Sequence, residues 1–220
     1  MALASVLLRA RRYDDARARA TLAIALAERQ DARARGAAYE IAARVALALG
    51  DSAQAQAHAE AAEREDPGVP MAPFVRGRLL YAEGRYEEAL PGFQETAATL
   101  EKHGRALEEL YWYLGDTLGR LDRYEDAEMQ FSEELRASPR SIRAYSSLAT
   151  LYHASHRTNR VEEVLVALID AVPTAEGYDA AARLWTIVGE PSRASALRSD
   201  AKARFRGDPS PALSARDGQR

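Results

Sequence analysis

Two closely spaced histidines are the first candidates for chemistry in this sequence. His153 and His156 are three residues apart, and Glu162 and Glu163 follow a few positions later. Imidazole and carboxylate groups are ligands of zinc, which takes four of them in a tetrahedral arrangement. His156 falls where a turn is expected, and the spacing fixes no third ligand. We therefore predict neither a metal site nor a cofactor.

The other sequence patterns that signal catalysis do not occur. The chain has no G-x-S-x-G nucleophile motif, no phosphate-binding loop and no dinucleotide fingerprint. It has no cysteine, which excludes disulfides, thiolate metal ligands and a cysteine nucleophile. We predict that the chain is not an enzyme and has no catalytic residues.

Charge and hydropathy argue against two classes of partner, nucleic acids and membranes. The net charge of −3 gives no reason to expect nucleic-acid binding, and the arginines between positions 9 and 19 are interspersed with acids and alanines. No segment approaches the roughly 20 apolar residues of a membrane span. The short N-terminal apolar run precedes its arginines, unlike the order in a secretory signal. We expect a cytoplasmic location, with no nucleic-acid and no membrane partner.

A short motif recurs along the chain and indicates the repeated secondary structure on which any functional site must lie. It appears as RRYDDA at 11–16, GRYEEA at 84–89 and DRYEDA at 122–127, with weaker copies GDSAQA at 50–55 and GEPSRA at 189–194. The residue that opens each period falls at Tyr39, Pro73, Tyr111, Tyr145 and Tyr178, with spacings of 34, 38, 34 and 33. Self-similarity at such a period indicates stacked repeats. Helical periodicity, together with helix start and stop signals along the whole sequence, predicts about twelve helices and no strand.

A period near 34 with two helices per repeat resembles the tetratricopeptide repeat (TPR) family, whose pattern is W-x2-L-G-x2-Y…A-x3-F…P. The fourth repeat carries the resemblance best, through Tyr111, Leu114, Gly115, Leu118, Ala127, Phe131 and Pro139. The resemblance extends over residues 1–206. It implies an all-α solenoid, a right-handed superhelix of about six helix-turn-helix repeats of which the first is truncated.

We place the repeats at about 1–30, 36–69, 70–103, 108–141, 142–174 and 175–206. Residues 207–220 are rich in Pro, Gly and Ser, and we expect them to form a disordered tail. The first repeat begins inside a helix, which indicates a fragment or an unusual start. Four extra residues around positions 100–106 separate the third and fourth repeats. In the fifth repeat, SHRTNRVEEV leaves the register of the turn open by three residues.

The resemblance implies that the first helices of the repeats line a concave groove, which in this family holds a peptide or a partner helix. Residues one, five and eight positions after each opening residue form the stripe expected to face the groove. Arg143, two positions before its tyrosine, belongs to the same stripe. The candidate binding residues are Arg44, Phe74, Arg78, Tyr81, Trp112, Asp116, Arg143 and His153.

Aromatic and arginine side chains give this stripe the composition of a binding surface. We expect Phe74, Tyr81 and Trp112 to be exposed anchors; the alternative is that they fold back on neighbouring helices and extend the core. By the same reasoning Trp185 lies in the core and Trp112 is partly exposed. The arginines could pair with an acidic ligand, or Glu40 and Asp116 could neutralise them internally.

One specific binding device of the family is missing. Chaperone-binding TPR domains use a carboxylate clamp, with Lys one residue and Asn five residues after the opening position. The corresponding pairs here are Glu40 with Arg44, Phe74 with Arg78, and Trp112 with Asp116. The clamp is therefore absent.

Two functions fit these observations. The first is an adaptor that binds a protein or peptide, an acidic one being among the candidates, in the concave groove. The alternative is an accessory or regulatory domain of a larger enzyme, because similar arrays occur fused to sulfatase-like hydrolases and to glycosyltransferases. The sequence leaves the partner, the oligomeric state and the pathway undetermined.

Overall fold

The computed structural model describes residues 2–205, so the expected tail at 207–220 lies outside the described residues. Within 2–205 the chain forms helices and no strand, which confirms the all-α prediction and the number of helices. The helices are α1 (Ala2–Arg9), α2 (Tyr13–Ala27), α3 (Ala32–Ala48), α4 (Ser52–Glu65), α5 (Met71–Ala82), α6 (Tyr86–Lys102), α7 (Leu110–Arg120), α8 (Tyr124–Ala137), α9 (Ile142–Ala154), α10 (Thr158–Ala171), α11 (Ala175–Ile187) and α12 (Pro191–Arg204). Two helices lie largely within each proposed repeat range, although α3 begins at Ala32, four residues before the expected start of the second repeat.

The turn inside every helix pair uses the same backbone conformation. The first residue of the recurring motif has a positive φ in all six pairs: Arg11 (58°), Gly50 (75°), Gly84 (77°), Asp122 (58°), His156 (57°) and Gly189 (88°). This left-handed region favours glycine, because other residues bring Cβ against the following carbonyl. His156 therefore occupies the turn position of the fifth repeat, which settles its register.

Short polar side chains cap the N-termini of four helices. Asp31 and Asp51 accept hydrogen bonds from the backbone N–H groups three residues later, at 2.8 and 3.0 Å. Ser141 and Thr174 do the same at 3.3 Å. These caps satisfy N–H groups that have no partner within the helix. Since Asp51 begins α4, the capped helices are α3, α4, α9 and α11, three of them first helices of a pair.

The chain divides into two compact units, residues 1–122 and 123–220. In the N-terminal unit the first helices are neighbours in chain order, since α3 packs against α1 and α5, and α5 packs against α7. Each also packs against a second helix, α3 against α4 and α5 against α6. This arrangement sets side chains from successive first helices side by side.

Small residues allow the close approach of α5 and α6. A Cβ added at Gly92 would lie 2.6 Å from the carbonyl oxygen of Pro73, and one at Gly77 would lie 2.9 Å from the ring of Phe93. Large side chains fill the space between pairs; Phe93 and Leu100 are fully buried there. The small and large positions of the repeat thus fit together as ridges and grooves.

In the C-terminal unit α9 packs against α8, α10 and α11, and α11 packs against α12. Its core combines the aliphatic side chains of Leu148, Leu165 and Leu168 with aromatic ones such as Tyr178 and Trp185. Trp185 is 9% exposed, which agrees with its expected core position. The guanidinium of Arg193 lies 4.7 Å from the centre of the Trp185 ring.

The expected difference between the two tryptophans is wrong. Trp112 is 8% exposed, as little as Trp185. Its ring lies against those of Tyr113 at 4.9 Å and Tyr81 at 6.3 Å between centroids. Trp112 is buried because these aromatic neighbours on α5 and α7 cover it, a contact that the helical phase of α7 alone does not reveal.

Candidate functional site

Six of the eight predicted binding residues lie together in the N-terminal unit. Arg44 is on α3, Phe74, Arg78 and Tyr81 are on α5, and Trp112 and Asp116 are on α7. We call the surface formed by these three helices the first-helix face. The other two, Arg143 and His153, are exposed on α9 of the C-terminal unit.

Phe74 is a core residue and not the exposed anchor expected from the sequence. It is 1% exposed, and its ring lies 6.0 Å from that of Phe93 and 6.4 Å from that of Tyr113. Trp112 is buried in the same cluster. For these two residues the alternative interpretation is correct, because aromatic rings from α5, α6 and α7 meet beneath the first-helix face and exclude water.

Tyr81 remains partly exposed and is fixed by polar contacts. Its hydroxyl donates a 2.5 Å hydrogen bond to Asp116, and Arg120 donates to the same carboxylate oxygen at 2.8 Å. Its ring contacts Tyr86 and Tyr113, with centroids at 5.5 and 5.2 Å. Burial, and then the hydrogen bond to Asp116, raise the pKa of Tyr81 well above its ordinary value. Tyr81 therefore stays a neutral hydrogen-bond donor at physiological pH.

Arg78 joins the aromatic cluster to the charged part of the face. Its guanidinium carbon lies 3.8 Å from the centre of the Tyr113 ring and 5.8 Å from that of Phe74. A guanidinium in this position is attracted by the electron-rich ring face. Arg78 also lies 3.6 Å from the carboxylate of Glu109.

Arg44 is more buried than expected for a ligand-gripping arginine, since its side chain is 11% exposed. It donates a 2.6 Å hydrogen bond to Glu108 and lies 3.8 Å from Glu40. Burial raises the pKa of Glu40 although Arg44 opposes the shift. The hydrogen bond from Arg44 lowers the pKa of Glu108 despite its partial burial. The charge of Arg44 is therefore already matched.

Sequence reasoning missed the source of these carboxylates. Glu108 and Glu109 belong to the loop 103–109, which contains the insertion seen between the third and fourth repeats. The loop is held at further points: Glu108 lies 3.5 Å from Arg9, Arg105 donates a 3.0 Å hydrogen bond to Asp66, and Leu107 is buried. The insertion was the only sequence signal of an unusual loop at this position. The sequence does not show which helices the loop contacts.

A second polar cluster, in the C-terminal unit, was also missed. Glu128 on α8 accepts hydrogen bonds from the Tyr152 hydroxyl at 2.7 Å and from Arg157 at 2.5 Å, with Arg160 at 3.3 Å. Burial works against ionisation of Glu128, but the hydrogen bonds from Tyr152 and Arg157 outweigh it and lower its pKa. Burial, and then the bond to Glu128, raise the pKa of Tyr152 to about 12. This cluster ties α8, α9 and α10 together.

The histidine pair does not form a ligand set. His156 lies in the positive-φ turn and His153 is exposed on α9. Across residues 2–205 no three His, Cys, Asp or Glu side chains are grouped so that they could hold a metal ion. In that same part of the chain, none of the helices combines the length and apolarity needed to cross a membrane.

Comparison with known protein families identifies a repeat model that matches part of this chain. A family model described as tetratricopeptide repeat matches residues 42–102. Human "Protein O-mannosyl-transferase TMTC2" is 29% identical over 98 residues, which is 44% of this chain and 12% of that protein. The chain thus spans about an eighth of the length of this relative.

Solved structures share the fold at low sequence identity. PilW, described as a widely conserved type IV pilus biogenesis factor, has a TM-score of 0.63 at 16% identity, over 97% of this chain and 94% of its own. YrrB, described as having an unusual peptide-binding site, has a TM-score of 0.53 at 15% identity, over 86% and 93%. At these identities the likeness concerns the fold alone.

Proposed function

We propose that this chain is a tetratricopeptide repeat protein and that it is a scaffold that binds a protein or peptide on the first-helix face. The observation that carries the proposal is that three successive first helices each contribute a partly exposed polar or aromatic side chain: Arg44 from α3, Arg78 and Tyr81 from α5, and Asp116 from α7. Such a row of groups suits an extended ligand that crosses the helices.

The burial of Phe74 and Trp112 changes their proposed role. They support the face from below, because they position Tyr113 and Tyr81 through ring contacts. Tyr81 is then the aromatic side chain that a ligand would meet. Its hydroxyl, Asp116 and Arg120 offer hydrogen-bonding groups beside an apolar ring, a combination common at binding hot spots.

The likeness to YrrB supports a peptide ligand to the extent that its title describes a peptide-binding site. We propose no catalytic activity, since the sequence contains no G-x-S-x-G motif, no phosphate-binding loop and no dinucleotide fingerprint. The acidic character of the partner and a cytoplasmic location are further parts of the proposal. Arg143 and His153 would belong to a separate candidate binding surface on α9 of the C-terminal unit.

The second candidate is an accessory repeat domain of a larger enzyme. It is favoured by the match to a protein named as a mannosyl-transferase, of which this chain covers only 12%. In that case the first-helix face would bind another part of the same polypeptide or its substrate. Sequencing the transcript that encodes the chain distinguishes the two, because an open reading frame that continues into a catalytic domain supports only this candidate.

Peptide selection tests the scaffold function. A displayed library of random peptides is selected against the full chain, and the binders are measured against Tyr81→Ala/Asp116→Ala and against Arg64→Ala. Arg64 is the matched control, since it lies on the second helix α4 of the same unit and is 70% exposed. We expect at least about a tenfold loss of affinity in the double variant, as for a hot-spot residue, and no loss in the control. Binders that ignore both changes contradict the proposal.

A further inference from the structure

The loop 103–109 is longer than its counterparts. It connects the second helix α6 to the next first helix α7 with seven residues, whereas the corresponding connections at 28–31, 66–70, 138–141 and 172–174 have three to five. Extra length in a surface loop costs little conformational free energy. The length alone therefore does not explain the path of the loop, and its contacts with the helices must do so.

The acidic end of the loop pairs with arginines from three first helices. Glu108 contacts Arg44 on α3 at 2.6 Å and Arg9 on α1 at 3.5 Å, while Glu109 contacts Arg78 on α5 at 3.6 Å. Two adjacent carboxylates thus match a row of cations that the helices themselves supply. This is the charge pattern by which the first-helix face would hold an acidic segment of another chain.

The loop is held at both ends by residues in the left-handed region. Gly104 has a φ of 59°, and Glu109, the residue before α7, has a φ of 68°. A glutamate rarely adopts this conformation, so the surrounding contacts must hold it there. The carboxylate of Glu108 is 49% exposed and that of Glu109 is 46% exposed, so water and competing carboxylates can reach both.

We propose that the loop 103–109 is a displaceable internal ligand of the first-helix face, and that a protein segment with two adjacent carboxylates binds by replacing Glu108 and Glu109 on Arg44 and Arg78. This inference rests on the proposed scaffold function and adds the chemistry of the partner and its regulation. While the loop is in place, the arginines are neutralised and the face is closed to acidic segments. Because Arg44 is nearly buried, the loop leaves only when other carboxylates take over its pairing.

A synthetic peptide with the sequence of residues 104–110, GRALEEL, is the probe, blocked at both ends and labelled with a fluorophore. The same peptide with both glutamates replaced by glutamine is the ligand control. Anisotropy titrations use the full chain, its Glu108→Gln/Glu109→Gln variant and a Glu87→Gln/Glu88→Gln variant. The last removes an adjacent pair of exposed carboxylates from α6 of the same unit.

Removal of the internal ligand should raise the affinity for the acidic peptide at least about tenfold, because the binding-competent fraction of the face increases. The control variant should match the wild type, and the glutamine peptide should bind none of the proteins. Adding Arg44→Gln/Arg78→Gln to the loop variant should abolish the gain. Equal affinity of the wild type and a folded loop variant for the acidic peptide overturns the proposal.

Hydrogen exchange on the unaltered chain gives a second test that does not depend on how the variants fold. At a peptide concentration that saturates the anisotropy signal, the backbone amides of 103–109 should exchange faster, and those of α12 should not change. Slower or unchanged exchange in the loop overturns the displacement. The two proposals can fail separately. Suppose that the selected library peptides need Tyr81 and Asp116 but bind the loop variant no better than the wild type. The scaffold function would then be supported, and the internal ligand would be refuted.

Discussion

The N-terminal and C-terminal units each contain a carboxylate that contacts two arginines, but they place it on different kinds of element. Glu108 lies in a loop, is 49% exposed and pairs with Arg9 and Arg44 of other helices. Glu128 lies on the helix α8, is 23% exposed and pairs with Arg157 and Arg160 while accepting a bond from Tyr152. A helix cannot withdraw its side chain without unfolding, whereas a loop can. The same ion-pair chemistry therefore stabilises the fold in one unit and suits a reversible contact in the other.

The largest expected effect concerns the two buried tryptophans, one in each unit. Trp112→Ala and Trp185→Ala should each lower the free energy of unfolding by about 3–5 kcal/mol, because each empties a buried aromatic site. Urea denaturation followed by circular dichroism measures both. Single-tryptophan variants (Trp→Phe at the other position) should show equal, low quenching by iodide. A small cost for Trp112→Ala alone would mean that the aromatic cluster of the N-terminal unit is loosely packed.

Neutralising Glu128 and Glu108 in turn should show more directly how the two units differ in the stability that each carboxylate contributes. Glu128→Gln should lower the free energy of unfolding by about 2 kcal/mol, the range for hydrogen bonds to charged groups. Glu108→Gln should lower it by less than about 1 kcal/mol, because the Glu108 carboxylate is half exposed to screening water and because Glu40 still lies beside Arg44 after the change. Urea titrations in low and high salt provide the measurement. If the two substitutions cost the same, the distinction between a structural and a reversible pair fails.

The smallest effect tests the turn shared by both units. Gly84 supplies the positive φ in one helix pair of the N-terminal unit, whereas His156 does so in one helix pair of the C-terminal unit. His156→Gly relieves the contact of Cβ with the backbone, at the cost of a more flexible unfolded chain, and should stabilise the protein by at most about 1 kcal/mol. His153→Gly, in the helix α9, is the matched control and should destabilise it by a similar amount. Loss of stability in both variants would contradict the turn assignment.

The sequence was sufficient for the fold because the repeat marks every helix pair independently. The recurring motif identifies the turn, and the small residues of α5 and α6 mark where helices approach, as Gly77 and Gly92 do. The same periodicity assigned Arg44, Arg78, Tyr81 and Asp116 to the first helices that form the first-helix face. These features are local or depend on neighbouring pairs, which is the information that a repeated pattern contains.

The sequence was not sufficient for the exposure of individual side chains or for contacts distant in the chain. Phe74 and Trp112 have the helical phase of surface positions, yet rings from neighbouring helices cover them. Arg44 and Glu108 are 64 residues apart in the chain. The insertion breaks the period there, so no repeat pattern constrains where the loop runs. Burial and ion pairing at this site are therefore tertiary properties, which depend on residues that are distant in the sequence.

The pairing of Arg44 and Arg78 with the loop has a consequence for selectivity among the many acidic proteins of a cell. An arginine that is already neutralised gives a passing acidic surface no new ion pair, since each contact formed is one lost. A single carboxylate can replace only one glutamate of the loop and leaves the other in place. Two correctly spaced carboxylates replace both at once. The insertion would thus act as a threshold that rejects chance encounters and admits a matching sequence.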